Sequence, residues 1–370
     1  MIIGIDARIV HYARGGVPNY VLHLLDALAA LDADTDYRIL HSRKDRNPPL
    51  PGPNFYPVAC WTPSHHRLER WALGVEVARL GLDLLHSPGF VPPVGGVSRS
   101  VLTIHDLNFL YYPQFLTPES HRYYNQQIEW VVRRADHILA DSHATKSDLT
   151  SLLAVPSEKV SVVHLAADST FRPLPGTEVG QVATRYGLQP GRFLLFVGTL
   201  EPRKNLPGLL QAYRYLLDAE VTTAPLVLVG GKGWLYDEVF ERIEALHLTE
   251  GVCLLHGVPD ADLPGLYNAA SVLTMPSFYE GFGLPALEAM ACGTPVVVAE
   301  RASLPEVVGE AGLLVNPDDP GNIAQALARV LTEEPLRVQM RELGLAQAAR
   351  FTWEETARQT LAIYRRVLAR

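Results

Sequence analysis

Cysteine is scarce in this 370-residue chain: Cys60, Cys253 and Cys292 are odd in number and far apart. With no Cys-x-x-Cys spacing, neither a disulfide framework nor a zinc site is expected. No apolar run approaches the ~20 residues that a membrane-spanning helix needs. Asp6 and Arg8 interrupt the apolar opening MIIGIDARIV too early for a signal peptide, so a cytoplasmic protein is expected. An excess of basic charge is also missing. Lys and Arg total 32 against 40 Asp and Glu, and the net charge of −8 argues against nucleic-acid binding, which wants a basic face. A local basic patch for a phosphate or a membrane surface remains compatible with that balance. There is no complete Gly-x-Gly-x-x-Gly, no P-loop Gly-Lys-Ser/Thr and no Gly-x-Ser-x-Gly elbow, which counts against dinucleotide oxidoreduction, nucleotide hydrolysis and serine hydrolysis. His11, His65, His66, His86, His121, His143 and His164 lack helical i,i+4 metal spacing or a matching carboxylate, so no metal or other cofactor is expected.

What is present is length and regular alternation. A chain of 370 residues exceeds one compact core and suits two domains. Short β-branched runs at 2–9, 37–42, 83–88, 100–107, 137–142 and 160–166 alternate with helical patterns at 17–31 and 119–135. After the Pro- and Gly-containing stretch 169–180 the alternation restarts, with strands expected at 192–200, 225–231, 252–257, 271–277 and 294–300. This is the pattern of parallel sheets with crossover helices. The fold class is therefore α/β: two doubly wound, Rossmann-like domains at 1–172 and 173–350. Ligands bind at the carboxyl ends of strands in such sheets, so the two domains are expected to face each other across a cleft. A final helix at 351–370 starts with Thr352 three residues before Glu355, the capping-box spacing. Periodicity leaves open whether it packs on its own domain or returns to the first.

Several segments carry candidate chemistry. In YEGFGLPALEAMACGTPVV, Glu280 lies on a strand-to-helix turn beside Gly281 and Gly283, and Glu288 lies about one turn into the helix, on the face of Leu284. The glycines let a ligand approach the backbone, and the amides of Phe282, Gly283 and Leu284 open the helix as an anion site. Amides and carboxylates together suit a ligand that has phosphates and hydroxyls. Two glutamates alone describe an ordinary solvated turn; the neighbouring segments change that reading. In FVGTLEPRKN, Arg203 and Lys204 sit ahead of a helix expected to begin near Asn205, where charge and helix dipole both attract an anion. Gly15 and Gly16 form a turn between the first strand and first helix, a weaker signal of the same kind. His105 ends the strand of TIHDLNF, where it can hydrogen-bond a hydroxyl, although a satisfied structural histidine has the same signature. The stretch 65–80 mixes Arg, His and Trp on a helical pattern, compatible either with packing on its own domain or with a membrane-borne acceptor.

Taken together, these residues resemble the retaining family-4 glycosyltransferases of GT-B fold, over nearly the whole chain. The Glu-x7-Glu segment with its Gly-Phe-Gly and trailing Gly-Thr-Pro, GTLEPRKN, HGVPDADLPGLYNAA, TIHDLNF and GIDAR…GGVPNY occur in that family's order. The likeness is greatest to bacterial enzymes, often mannosyltransferases, that build surface polysaccharides. The resemblance implies that Glu280 contacts the donor sugar and Glu288 the ribose, and that Phe282, Gly283 and Leu284 offer amides to sugar and diphosphate. Arg203 and Lys204 would neutralise the leaving diphosphate, with Gly15 and Gly16 near its distal phosphate. The backbone at Val258, with Asp260, would meet the base, and His105 would sit by the sugar at the reaction centre. Domain closure would bring acceptor and donor together. Many members carry Arg where this chain has Thr199, so Arg203 is expected to supply that charge. The implied partners are a nucleotide sugar, GDP-mannose before a UDP-sugar, and a glycan or lipid-linked saccharide acceptor. A sugar-nucleotide epimerase of the same architecture and a non-catalytic sugar- or nucleotide-binding protein are the alternatives.

Overall fold

Runs that are apolar on both faces pair side by side in parallel, because only a sheet covered by helices on each side buries them fully. The computed structural model describes residues 1–13, 15–66, 68–231, 233 and 237–370. It divides into two compact units, one of Met1–Leu165 with Thr352–Arg370 and one of Ala166–Phe351.

The first unit holds a seven-stranded parallel sheet of β1 (Ile2–Asp6), β2 (Asp36–Ser42), β3 (Phe55–Cys60), β4 (Leu84–Ser87), β5 (Arg99–Ile104), β6 (His137–Ala140) and β7 (Val160–Val162). Their order is β3-β2-β1-β4-β5-β6-β7, so the direction of winding reverses between β1 and β4. Edge strand β3 is absent from the sequence reading because Pro57 interrupts its run, and an edge is where a sheet tolerates proline. The Gly16–Leu31 helix buries Tyr20, Val21, Leu24, Leu25 and Leu28, an i, i+4, i+8 stripe with its neighbours. The helix expected over 119–135 is two helices, Pro118–Asn125 and Ile128–Arg134.

The last helix, Trp353–Leu368, belongs to this first unit and packs on the Gly16–Leu31 helix. Thr352 caps it, accepting the Glu355 amide at 3.2 Å. The Glu355 side chain bonds forward to Arg358 and Gln359, so only the threonine half of a capping box forms.

The second unit holds a six-stranded parallel sheet of β8 (Leu194–Val197), β9 (Leu226–Val229), β10 (Val252–Leu255), β11 (Val272–Met275), β12 (Val296–Ala299) and β13 (Gly312–Val315). The order β10-β9-β8-β11-β12-β13 reverses between β8 and β11. Edge strand β13, four residues long and opened by glycine, is the second strand that the sequence reading lacks. The division between units falls at Leu165 and Ala166 instead of at 172 and 173. Asn268 explains part of this. Its side chain accepts the Leu174 amide at 3.0 Å and donates to the Arg172 carbonyl at 2.9 Å, pinning the connecting stretch to the second unit.

Candidate functional site

The winding of the second sheet reverses between β8 and β11, and the two loops that leave their carboxyl ends carry the charged residues. Close backbone approach starts at β8. A Cβ on Gly230 would stand 1.9 Å from the Gly198 carbonyl oxygen, so the loops after β8 and β9 can lie this close only with glycine there. The chain then forms a tight turn at Pro202–Lys204, and Asn205, in the left-handed region at φ 56°, caps the Leu206–Asp218 helix by accepting the Gly208 amide. Asn205 also donates to the carbonyls of Pro276 and Pro317, tying this turn to the loop after β11. The Phe278 amide donates to the Arg203 carbonyl at 2.8 Å.

These ties bring Arg203, Lys204 and Glu280 into one cluster. Lys204 Nζ donates to Glu280 Oε1 at 2.7 Å, and Arg203 Nη1 donates to Glu280 Oε2 at 2.8 Å and to the Tyr279 carbonyl at 3.0 Å. Arg203 Nε meets Glu201 Oε1 at 2.7 Å. The sequence reading has the two cations in a loop and lacks Glu201, whose single charge carries no spacing signal. Lys204 and Glu280 are buried. Burial alone would raise the Glu280 carboxyl, but Lys204 and Arg203 hold it down to about 2. Burial and the neighbouring Arg203 lower the Lys204 ammonium, against the pull of Glu280. Each Glu280 oxygen keeps a lone pair beyond the one bonded here, so a hydroxyl can still be received.

Gly283, at φ 106°, opens the Leu284–Ala291 helix, and a Cβ there would also stand 2.7 Å from Leu304 Cδ2. The first-turn amides of this helix, at Gly283 and Leu284, point out from its start beside Gly281 and Phe282. Ser303 Oγ lies 2.8 Å from the carbonyls of both Glu280 and Phe282 and fixes the turn from behind. Glu288, one turn into the helix, accepts the Tyr267 hydroxyl at 2.7 Å. Burial pushes its carboxyl up to about 7, against that hydrogen bond, and the charges of Asp168 and Asp260 add to the rise. Asp260 is exposed in the short turn after β10, and Val258 lies two residues before it.

The first unit carries the remaining candidates. Gly15, at φ 101°, precedes the Gly16–Leu31 helix, and among the described residues no atom lies within 4 Å of a Cβ built on Gly15 or Gly16. Neither glycine is demanded by internal packing; Gly15 is demanded by its backbone angle. Residue 14 of that turn lies outside the described residues. His105 follows β5, with Nδ1 2.6 Å from Asp141 Oδ2 and Nε2 3.2 Å from the Pro88 carbonyl. Burial opposes protonation of the ring, yet the Asp141 carboxylate outweighs it and raises the pKa above the ordinary imidazole range. The sequence reading lacks Asp141. The register supplies it only once the strands pair: Ile104 lies beside Ala140, so the residues that follow them, His105 and Asp141, meet.

Matches with known proteins follow the same division. The Glycosyltransferase Family 4 model matches residues 14–171, and the model for Glycosyl transferases group 1 matches 187–346. The O-antigen chain mannosyltransferase B of Escherichia coli is 37% identical over 302 residues, covering 81% of this chain and 78% of that protein. The sucrose-phosphate synthase of Thermosynechococcus elongatus has the same fold, with a TM-score of 0.80 at 23% identity over 100% of this chain and 99% of that one. Anabaena Alr3699/HepE, solved in complex with UDP-glucose, gives 0.74 at 17% identity, covering 98% of this chain and 99% of that one. With both family models spanning its two units and this O-antigen relative alongside, the chain belongs to the family-4 glycosyltransferases of GT-B fold and is mannosyltransferase-like.

Proposed function

We propose that this glycosyltransferase moves mannose from GDP-mannose to a hydroxyl of a growing surface glycan or lipid-linked saccharide, with retention of anomeric configuration. Mannose is favoured by the similarity to an O-antigen mannosyltransferase. The observation that carries the reading is the Arg203–Lys204–Glu280 cluster, set where the winding reverses and beside the start of a helix. In the proposed step the bond from sugar C1 to the phosphate oxygen breaks, and its electron pair leaves with the diphosphate. Positive character grows at C1. Arg203, Lys204 and the amides at Phe282, Gly283 and Leu284 meet the negative charge that develops, which lowers the barrier most when such donors are already in place. The acceptor oxygen bonds to C1 from the face that the diphosphate leaves, and its proton passes to the departing phosphate oxygen. Glu280 receives sugar hydroxyls, Glu288 the ribose hydroxyls, and Val258 with Asp260 the base. Gly15 and Gly16 serve the distal phosphate, and His105 the sugar. Charge neutralisation is assigned here to side chains and amides instead of a metal ion.

A panel of GDP-mannose, GDP-glucose and UDP-glucose, scored by thermal shift and nucleotide release, tests the reading. GDP-mannose should give the largest values, and the glycosidic product should retain the donor's anomeric configuration by NMR. Interconversion of sugars with donor alone would mark an epimerase; binding without nucleotide release would mark a non-catalytic protein.

The proposed location is the cytoplasm, at the inner face of the plasma membrane. The Glu69–Val77 helix exposes Trp71 and Val75, with Leu68 just before it, while both its acids turn away. Glu69 meets buried Arg8, and Glu76 accepts the amides of Trp61 and Thr62. Arg70 lies over the Trp71 ring. An exposed apolar stripe beside arginine and without free acids suits an anionic lipid surface. The double variant Trp71→Ser, Val75→Ser should lose co-sedimentation with phosphatidylglycerol vesicles; unchanged sedimentation would remove this part of the proposal.

A further inference from the structure

A second imidazole lies behind His105. His86, on β4, is fully buried, with Nδ1 2.6 Å from the Tyr364 hydroxyl and Nε2 2.7 Å from Thr103 Oγ1. Thr103 Oγ1 is 3.0 Å from the Tyr20 hydroxyl, and the Tyr20 ring meets His105 edge to face, with centroids 5.0 Å apart. A polar chain therefore runs from the last helix of the sequence, across β4 and β5, to the back of the candidate reaction-centre histidine. Tyr364, His86, Thr103 and Tyr20 are each 2% exposed or less. Apolar residues of the same shape would stabilise such a core about as well, so stability alone does not call for four linked polar groups.

Proton counting gives the chain a direction. Among the described residues, the Tyr364 hydroxyl has one hydrogen-bond partner, His86 Nδ1. If Nδ1 carried the proton, the phenol hydrogen would be buried without an acceptor, a costly arrangement. Tyr364 therefore donates to Nδ1, and the Nε2 hydrogen of His86 is directed at Thr103. Burial, with the charge of His105, pushes the His86 imidazole down to about 3, so His86 stays neutral. The raised imidazole of this pocket is His105, whose Nδ1 lies 2.6 Å from Asp141 Oδ2. Trp353, from the start of the same last helix, lies 6.2 Å from the Tyr20 ring and stacks on His23. The helix thus holds Tyr20 directly as well as through the polar chain.

We propose that Tyr364 is a positioning residue for His105, acting through His86, Thr103 and Tyr20, so that the last helix fixes how the histidine meets the donor sugar. The inference rests on the reading of His105 as a group at the reaction centre. A double-mutant cycle on the full-length enzyme, scored by GDP release from GDP-mannose, tests both. Tyr364→Phe should lower kcat by about 5- to 20-fold, the range expected for coupled neighbours, with KM within twofold. His105→Gln should lower it further, and adding Tyr364→Phe to His105→Gln should cost nothing more. The nitrogen NMR signals of the His105 ring should move in Tyr364→Phe. Val367→Ala, a buried change on the same helix outside the hydrogen-bonded chain, should lower Tm by about 2–4 °C and leave kcat within twofold. An equal loss from Tyr364→Phe in both backgrounds, or none in either, would overturn the positioning role. Normal turnover by His105→Gln, or no GDP release by the wild type, would overturn the underlying reading and the proposal with it.

Discussion

Arg8 and Lys204 are both buried cations that follow a strand at which the winding of their sheet reverses, β1 in one unit and β8 in the other. Their surroundings differ in one respect. Arg8 donates to Asp6 through Nε and Nη2, to the Thr62 carbonyl through Nη1, and to Glu69 through Nη2. Glu69 accepts in turn the His65 amide and the Tyr123 hydroxyl. Lys204 carries three N–H groups, and among the described residues its one hydrogen-bond acceptor is Glu280. A cation buried for structure uses its donors internally. In the proposed function Lys204 keeps its remaining donors for the diphosphate.

The largest effect that this contrast predicts is on stability. Arg8→Met should cost about 3–5 kcal/mol in urea unfolding, because Asp6 and Glu69 stay buried and lose the cation that neutralises them. Turnover per folded molecule should change little. A variant that folds normally would erase the structural half of the contrast. Next comes Glu280→Ala, which should reduce transfer by at least ~100-fold, the usual cost of losing a preorganised electrostatic contact. Near-normal turnover would mean that the cluster only holds its turn together.

The smallest predicted effect concerns pH. The Glu288 carboxyl is raised to about 7, so it takes up a proton as the pH falls through neutrality and, in its proposed role, would stop accepting ribose hydroxyls as an anion. KM for GDP-mannose should rise by about tenfold between pH 8 and pH 6, the worth of one charge-assisted hydrogen bond. Tyr267, Asp168 and Asp260 face the group, and of these only the carboxylates carry charge near it. Glu288→Gln should flatten the profile; an unchanged slope would assign the titration elsewhere.

Much of the fold is legible in the chain because parallel strands bury both faces and read as unbroken apolar runs, as LLFV and VVVA do. The two strands left out are edges, one broken by Pro57 and one opened by glycine with only Val315 buried. Arg203, Lys204, Glu280 and Glu288 are legible because glycines and helix starts surround them. Glu201, Tyr267, Ser303 and Asp141 are not, since each is a lone polar residue whose meaning arises only when strand pairing brings a distant segment beside it. The Tyr364–His86 contact is the extreme case, joining the last helix to the fourth strand.

Lys204→Ala tests the central claim most directly, with GDP release from GDP-mannose and Tm measured on the same preparation. Loss of at least ~100-fold in turnover with a Tm loss far smaller than that of Arg8→Met is the expected result, because Lys204 is proposed to serve the departing diphosphate and Glu280 keeps Arg203 as a partner without it. Turnover close to wild type, or a collapse of Tm like that of Arg8→Met, would contradict it.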